Sequence, residues 1–161
     1  MLMNCYDLRH HGAIGDGTAP CTQALQAAID AAHADGGGIV SIPVGTWMIG
    51  TIILKSNVII DLPPGARLLG SPCLKDYHSG HADGSADPMR CHLIVANAAE
   101  NVIIRGGGVI DGNGPAFWEP TKDPADGVQT TVAQEPDPLR AELLWIKTQD
   151  RRPGTMLEFR D

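Results

Sequence analysis

Several things are scarce in these 161 residues, and each scarcity closes off a class of function. Aromatic residues make up 4%, with Phe 2, Tyr 2 and Trp 3, so the few present carry weight. Basic residues are outnumbered: Lys+Arg 12 against Asp+Glu 19 gives a net charge of −7. A nucleic-acid or anionic-membrane surface needs clustered cations, and the only dense basic spot is Arg151-Arg152. No apolar run approaches the ~20 residues of a membrane span. The start, MLMNCYDLRHHG, lacks a basic n-region followed by an apolar h-region, and no N-x-S/T sequon occurs. As written, the chain is expected to be soluble and intracellular. Glycine-rich phosphate loops and a G-x-S-x-G elbow are also absent. Four cysteines (Cys5, Cys21, Cys73, Cys91) form no C-x-x-C pair, so they are expected as small apolar residues, with a Cys5–Cys21 disulfide as the alternative.

Glycine and proline, by contrast, are abundant, with Gly 19 and Pro 12. They fall between short apolar runs and so punctuate many short elements. One helix is expected over 22–35: Leu25, Ala28, Ile29 and Ala32 recur at i, i+3, i+4, i+7 in an alanine-rich stretch. Thr18 or Thr22 is expected to cap it, and Gly36-Gly37-Gly38 to stop it. Short β-branched strands are then expected at 39–42, 46–49, 51–54, 58–62, 66–69, 92–96, 102–105 and 109–111. Hairpin dipeptides are not placed between them.

The phrase NVIIRGGGVIDGNG (101–114) echoes NVIIDLPPGARLLGS (57–71). A parallel β-solenoid would write such a repeat, since each coil repeats the order strand, turn, strand, turn. Asn or Gly then takes the left-handed corners. The spacing of Asn57 and Asn101 is read as two turns of a ~22-residue coil. The expected organisation is one all-β domain over 1–161. It comprises a capping helix at 22–35, first coils at 39–112, an irregular excursion at 113–153 with a helical turn at Leu139 to Lys147, and a new coil starting at 154–161. A solenoid ending on a fresh strand leaves an apolar end that needs a cap. The chain is therefore expected to continue, or to be covered by another chain.

The candidate site residues each have a plainer explanation. His78 with the Gly80 to Gly84 stretch, including His81 and Asp83, is a polar cluster or a solvated loop. Adjacent His10 and His11, if in a strand, point to opposite faces and do not share a metal easily. Gly15-Asp16-Gly17 reads as a turn. Asp111, before Gly112, is either an acid beside a groove or the side chain closing a tight turn, and the repeat favours the turn. Phe117, Trp118 and Trp145 lie in or beside the irregular segment, either stacking on sugar or anchoring the loop. Trp118 and Trp145 are the substrate-binding candidates.

Taken together, these phrases resemble the N-terminal part of the family 28 glycoside hydrolases, the polygalacturonases and their relatives. The matching residues are Gly12-Ala-Ile-Gly-Asp-Gly17, the Thr22 to Asp30 helix, Gly36-Gly-Gly-Ile-Val-Ser-Ile-Pro-Val-Gly45, Thr51-Ile-Ile-Leu-Lys-Ser-Asn-Val58, Gly65-Ala-Arg-Leu-Leu-Gly-Ser71, Gly108-Val-Ile-Asp-Gly-Asn-Gly114 with Trp118, and Arg152-Pro153. The opening phrases are shared across the wider pectin-lyase-like group; the Leu-Lys-Ser-Asn, Leu-Gly-Ser and Ile-Asp-Gly-x-Gly series is more specific. The resemblance implies a right-handed parallel β-helix and inverting hydrolysis of galacturonate chains in pectin, with no metal or other cofactor and a monomer at full length. The family is often secreted or periplasmic, though some members act inside cells. Its N-x-D, D-D, G-H-G and R-x-K motifs are expected beyond Asp161. Gly80-His81-Ala82 lacks the second glycine of the histidine motif, and Asp111 matches a turn aspartate. No catalytic residue carries over, and the 161 residues alone are expected to be inactive. The alternatives are a non-catalytic β-helix module that binds carbohydrate or plays a structural role, and a lyase of the same fold.

Overall fold

The structure, a computed structural model, describes residues 3–78, 91–121, 144–147 and 157–160, with only the backbone described for 118–121, 144–147 and 157–160. Its strands are β1 (Asn4–Asp7), β2 (Asp16–Pro20), β3 (Gly38–Ser41), β4 (Gly45–Ile49), β5 (Ile52–Leu54), β6 (Val58–Asp61), β7 (Ala66–Gly70), β8 (Ile94–Asn97), β9 (Ile103–Arg105), β10 (Val109–Asp111), β11 (Trp118–Thr121), β12 (Leu144–Lys147) and β13 (Leu157–Arg160). One α-helix, α1 (Thr22–Ala34), lies between β2 and β3.

Three parallel sheets form three walls: β1-β3-β6-β9, β2-β4-β7-β10 and β5-β8-β13. Each coil after the first contributes one strand to each wall in turn, and the first gives β1, β2 and then α1, the arrangement of a right-handed parallel β-helix. The strands pair in register across coils, Ile39 on Ile59 and Ile59 on Ile103. The 44-residue repeat is therefore one coil, not two. The excess length is an insertion between β7 and β8, and sequence periodicity has no means of recognising a loop within a coil.

The core follows from the period of two along each strand. Val40 and Ile60 point inward from one wall, Trp47 and Leu68 from the second, Ile52 and Ile94 from the third, all essentially buried. Each inward side chain sits over its counterpart one coil away, as the registers place Val40 on Ile60, Trp47 on Leu68 and Ile52 on Ile94. Burial of each is worth ~1.5–3 kcal/mol.

The helix closes the N-terminal end of this stack. Leu25, Ala28, Ile29 and Ala32 are its buried residues. On β5, where the third wall would otherwise present an open edge, the Gln26 amide donates to Ile53 O and accepts from Ile53 N, at 3.0 and 2.8 Å. One side chain stands in for a missing strand. Neither threonine caps the helix. The N-cap is Cys21, whose side chain makes no capping bond to the helix, and the Thr22 hydroxyl accepts instead from Gly50 N at 2.8 Å. At the other end Gly37 N reaches Ala32 O at 2.9 Å, the glycine stop the sequence called for.

Local chemistry overrode other expectations. His10 and His11 lie in a 3₁₀ turn, Leu8–His11, opened by Asp7 accepting from Arg9 N. The Gly15-Asp16-Gly17 turn sits at the start of β2: the Asp16 carboxylate accepts from the amides of Thr18 and Ala19, Gly17 is left-handed at φ 77, and the pairing with β4 shifts register between Asp16 and Pro20. The helical turn expected to reach Lys147 is, over 144–147, strand β12, paired antiparallel with β11; residues 139–143 lie outside the described part. The segment expected to be irregular thus contains this two-stranded ladder and a 3₁₀ turn at Gly114–Ala116. None of the four cysteines is in a disulfide; Cys21 and Cys91 are buried, Cys5 and Cys73 exposed.

Candidate functional site

Two insertions leave the solenoid at the same corner on successive coils, one between β7 and β8, the other between β10 and β13. Their packing builds the candidate site. The necks are held by short polar contacts. Thr51, 2% exposed, donates its hydroxyl to His92 O at 2.6 Å and accepts from His78 N at 2.9 Å. One buried hydroxyl thereby pins both ends of the first insertion to the start of β5. The Thr51 amide is bonded to Asp76 O at 3.0 Å, and the Ser71 hydroxyl donates to the Asp76 carboxylate. Gly50 is obligatory here: a Cβ would lie 2.0 Å from Asp76 O.

The second insertion is seated on the first. Asn113, left-handed at φ 55, donates its side-chain amide to Gly70 O at 2.9 Å. Tyr77 (7% exposed) and Phe117 (3% exposed) meet edge to face, with centroids 6.4 Å apart and planes at 74°. The Tyr77 hydroxyl donates to Ser71 O at 2.8 Å, which satisfies the polar end of a buried ring. Burial, and behind it the Asp76 charge, pushes the Tyr77 phenol up, so it is neutral at any ordinary pH. Directly after Phe117 the chain enters β11, whose backbone places Trp118 opposite Lys147 and Pro120 opposite Trp145.

The structure separates the residues singled out from sequence. Asp111 closes a turn: one carboxylate oxygen accepts from Asn113 N at 2.7 Å, and the other is paired with Arg67. The Asn113 amide, then Arg67, hold its carboxyl below the ordinary range. With both oxygens engaged, it is not poised to move a proton. Arg105 is likewise paired, with Asp61 at 2.7 Å. His78 is exposed and joins the corner through its backbone, while Gly80 to Gly84, with His81 and Asp83, lies outside the described residues, as does Arg151-Arg152. His10 and His11 sit at the N-terminal end, on β1's side of the stack. Phe117 anchors its loop. Trp118 and Trp145 are placed by backbone on one ladder. No group of three or more His, Cys, Asp or Glu able to hold a metal occurs among the described residues. Sequence reasoning missed Thr51 and Tyr77. Thr51 looked like the first residue of a strand, and the available signal for Tyr77 was a lone aromatic in a turn-rich stretch.

Comparison with known proteins follows the same pattern. No family profile matches the chain. It is 33% identical over 138 residues to an exo-poly-alpha-D-galacturonosidase of Dickeya chrysanthemi, a match covering 80% of this chain and 22% of that protein. A mannuronan C5-epimerase of Azotobacter vinelandii is 46% identical over 63 residues, 34% of this chain and 4% of the epimerase. Among solved structures, a hyperthermoactive exopolygalacturonase of Thermotoga maritima superposes with a TM-score of 0.57 and 28% identity, covering 68% of this chain and 25% of that one. The chain therefore spans about a quarter or less of the length of these relatives.

Proposed function

We propose that this chain, a relative of the polygalacturonase-like glycoside hydrolases, forms the first coils of an enzyme that hydrolyses galacturonate-containing pectic chains. The single observation that supports this most is a match at 33% identity running over 80% of the chain. The epimerase match is confined to 34% of it.

In this reading the described coils are scaffold and the catalytic carboxylates belong to coils that follow Asp161. A general acid protonates the leaving glycosidic oxygen, and a general base on the opposite face of the sugar activates a water. The two stand ~6.5–9.5 Å apart so that the water fits between them, which inverts the anomeric centre. No metal or cofactor enters. Trp118 and Trp145 supply stacking surface for a sugar ring at one end of the groove, as aromatic faces do for the apolar side of a pyranose. The complete protein acts as a monomer on a soluble or wall-bound pectic chain.

The test is to incubate the complete protein with polygalacturonate and follow new reducing ends together with the anomeric configuration by proton NMR. New reducing ends carrying the inverted anomer support the proposal. An unsaturated, ultraviolet-absorbing product would make the enzyme a lyase instead. Binding without any change in the polymer would leave a non-catalytic carbohydrate module.

A further inference from the structure

Asn113 carries a reactivity that its place in the fold does not require. Three asparagines take left-handed corners in the described coils: Asn57, Asn101 and Asn113. The first two precede Val58 and Val102, whose branched side chains crowd the amide that follows. Asn113 precedes Gly114, and this is the only Asn-Gly pair in the 161 residues. Gly114 is exposed, and a Cβ built there would meet nothing within 4 Å. Among the described residues its amide meets no acceptor. The Asn113 side chain is held by one neutral hydrogen bond, its amide donating to Gly70 O at 2.9 Å. Two more hold its backbone: Asn113 N donates to Asp111 at 2.7 Å, and Asn113 O accepts from Ala116 N at 3.0 Å.

We infer that Asn113 is a self-modifying site: when the second insertion lifts from the corner, the side chain closes onto the Gly114 amide, becomes a carboxylate, and no longer lets the insertion reseat. In the first step the Gly114 nitrogen attacks Cγ of Asn113. The new Cγ–N bond forms, the Cγ–Nδ2 bond breaks, and Nδ2 leaves as ammonia with the proton of the Gly114 amide. Water then opens the imide ring at either carbonyl, restores the N–H and leaves aspartate or isoaspartate, which loses its proton to solvent. Only water is consumed. While the corner is closed, the three bonds hold the residue in its left-handed conformation, so ring closure waits for the corner to open. The product has no way back. A carboxylate only accepts hydrogen bonds, so it faces the Gly70 carbonyl without a donor between them and adds a second negative charge beside Asp111. Isoaspartate also lengthens the main chain just before the Gly114–Ala116 turn that leads into buried Phe117.

The experiment is prolonged incubation of the complete protein at mildly alkaline pH, followed by peptide mapping with mass detection and by hydrogen exchange, for the parent, Gly114→Ala and Asn113→Asp. Gly114 lies outside the left-handed region with open space about it, so alanine fits without disturbing the fold. Asn113 is expected to convert before Asn57 and Asn101, and about tenfold more slowly in Gly114→Ala, because a Cβ restricts approach to the amide. Exchange at the Ala116 and Phe117 amides is expected to quicken about fivefold in the aged parent and in Asn113→Asp, the loss of one neutral hydrogen bond. Aged Gly114→Ala should keep the original exchange. Should Asn113→Asp not fold, the aged parent reads the same effect. In urea the conversion should outpace the native one. An Asn113 still intact when Asn57 or Asn101 has converted overturns the inference, and so does an equal rate in the parent and Gly114→Ala. Equal rates in urea and in the native state remove the gating by the corner, and conversion with unchanged exchange removes the unseating; either outcome sinks the inference.

Discussion

Asn101 donates its side-chain amide to the Asn57 side chain at 2.9 Å, one coil directly above it although the two are 44 positions apart in the chain. Both residues are left-handed, at φ 55 and 64. The contact sits in a short run of like contacts: Asn57 N to Glu100 O at 2.8 Å and Glu100 N to the Ser56 hydroxyl at 3.1 Å. A corner of the solenoid is thus stitched by side chains where the strand ladders stop. Asparagine serves both needs, since it tolerates the left-handed corner and its amide can pair with a copy of itself.

Asn101→Ala is accordingly expected to destabilise by about 2 kcal/mol, one part from the lost bond and one from the strained corner. Asn101→Gly should lose only the bond and recover roughly half of that, as Gly carries no left-handed penalty. Chemical denaturation of the three proteins separates the two contributions. Equal losses in both variants would mean that the corner carries no strain.

Thr51→Val keeps shape and removes the hydroxyl shared by His78 N and His92 O. The expected cost is about 1–3 kcal/mol. Hydrogen exchange should quicken locally at the amides of His78 and Ile52, while the inward residues of β3 and β6 stay protected. Uniform acceleration across all walls would show that the neck is not a separate unit.

Gly106→Ala tests a tight corner. At φ 113 a Cβ would lie 2.1 Å from Leu62 O, a backbone atom that accepts from Gly108 N at 2.8 Å. Neither group can swing away, so the loss is expected to exceed about 3 kcal/mol, at the diagnostic end of single substitutions. A thermal melt unchanged within error would contradict the close approach.

Acid should weaken the N-terminal turn. The Arg9 side chain and amide, in that order, hold the Asp7 carboxyl down at about 2 against an ordinary 3.8. A depressed carboxylate adds stability that is fully present above its unfolded value and lost as pH falls toward 2. Because the Arg9 side chain is 64% exposed, solvent screens the pair and its share is under about 1 kcal/mol. Asp7→Asn should therefore lower stability slightly at pH 7 and converge with the parent near pH 2. A constant difference across that range would assign the effect to the turn's hydrogen bonds instead.

Much of this molecule was legible in the chain alone. Leu25, Ala28, Ile29 and Ala32 announced the buried stripe of α1, since a 3.6-residue period has no other economical burial. The β-branched runs between glycines gave eight of the strands to within two residues. The Asn57 and Asn101 phrases pointed to stacked coils, and Asp111 before Gly112 to a turn. All of these are local signals, because period, branching and turn chemistry act within a few residues.

Tertiary structure decided what distance along the chain conceals. That 44 residues make one coil depended on an insertion whose neck is closed by Thr51, a residue 27 positions from His78 and 41 from His92. Gln26 took the place of a strand, and Thr22 gave up its capping role to serve Gly50, because an open sheet edge must be satisfied by whatever lies nearest in space. Tyr77 and Phe117 became partners only because successive coils release their insertions at one corner. The sequence determined which segments would extend, coil and turn; the stacking of coils decided which of them would meet, since burial rewards contact in space regardless of separation along the chain.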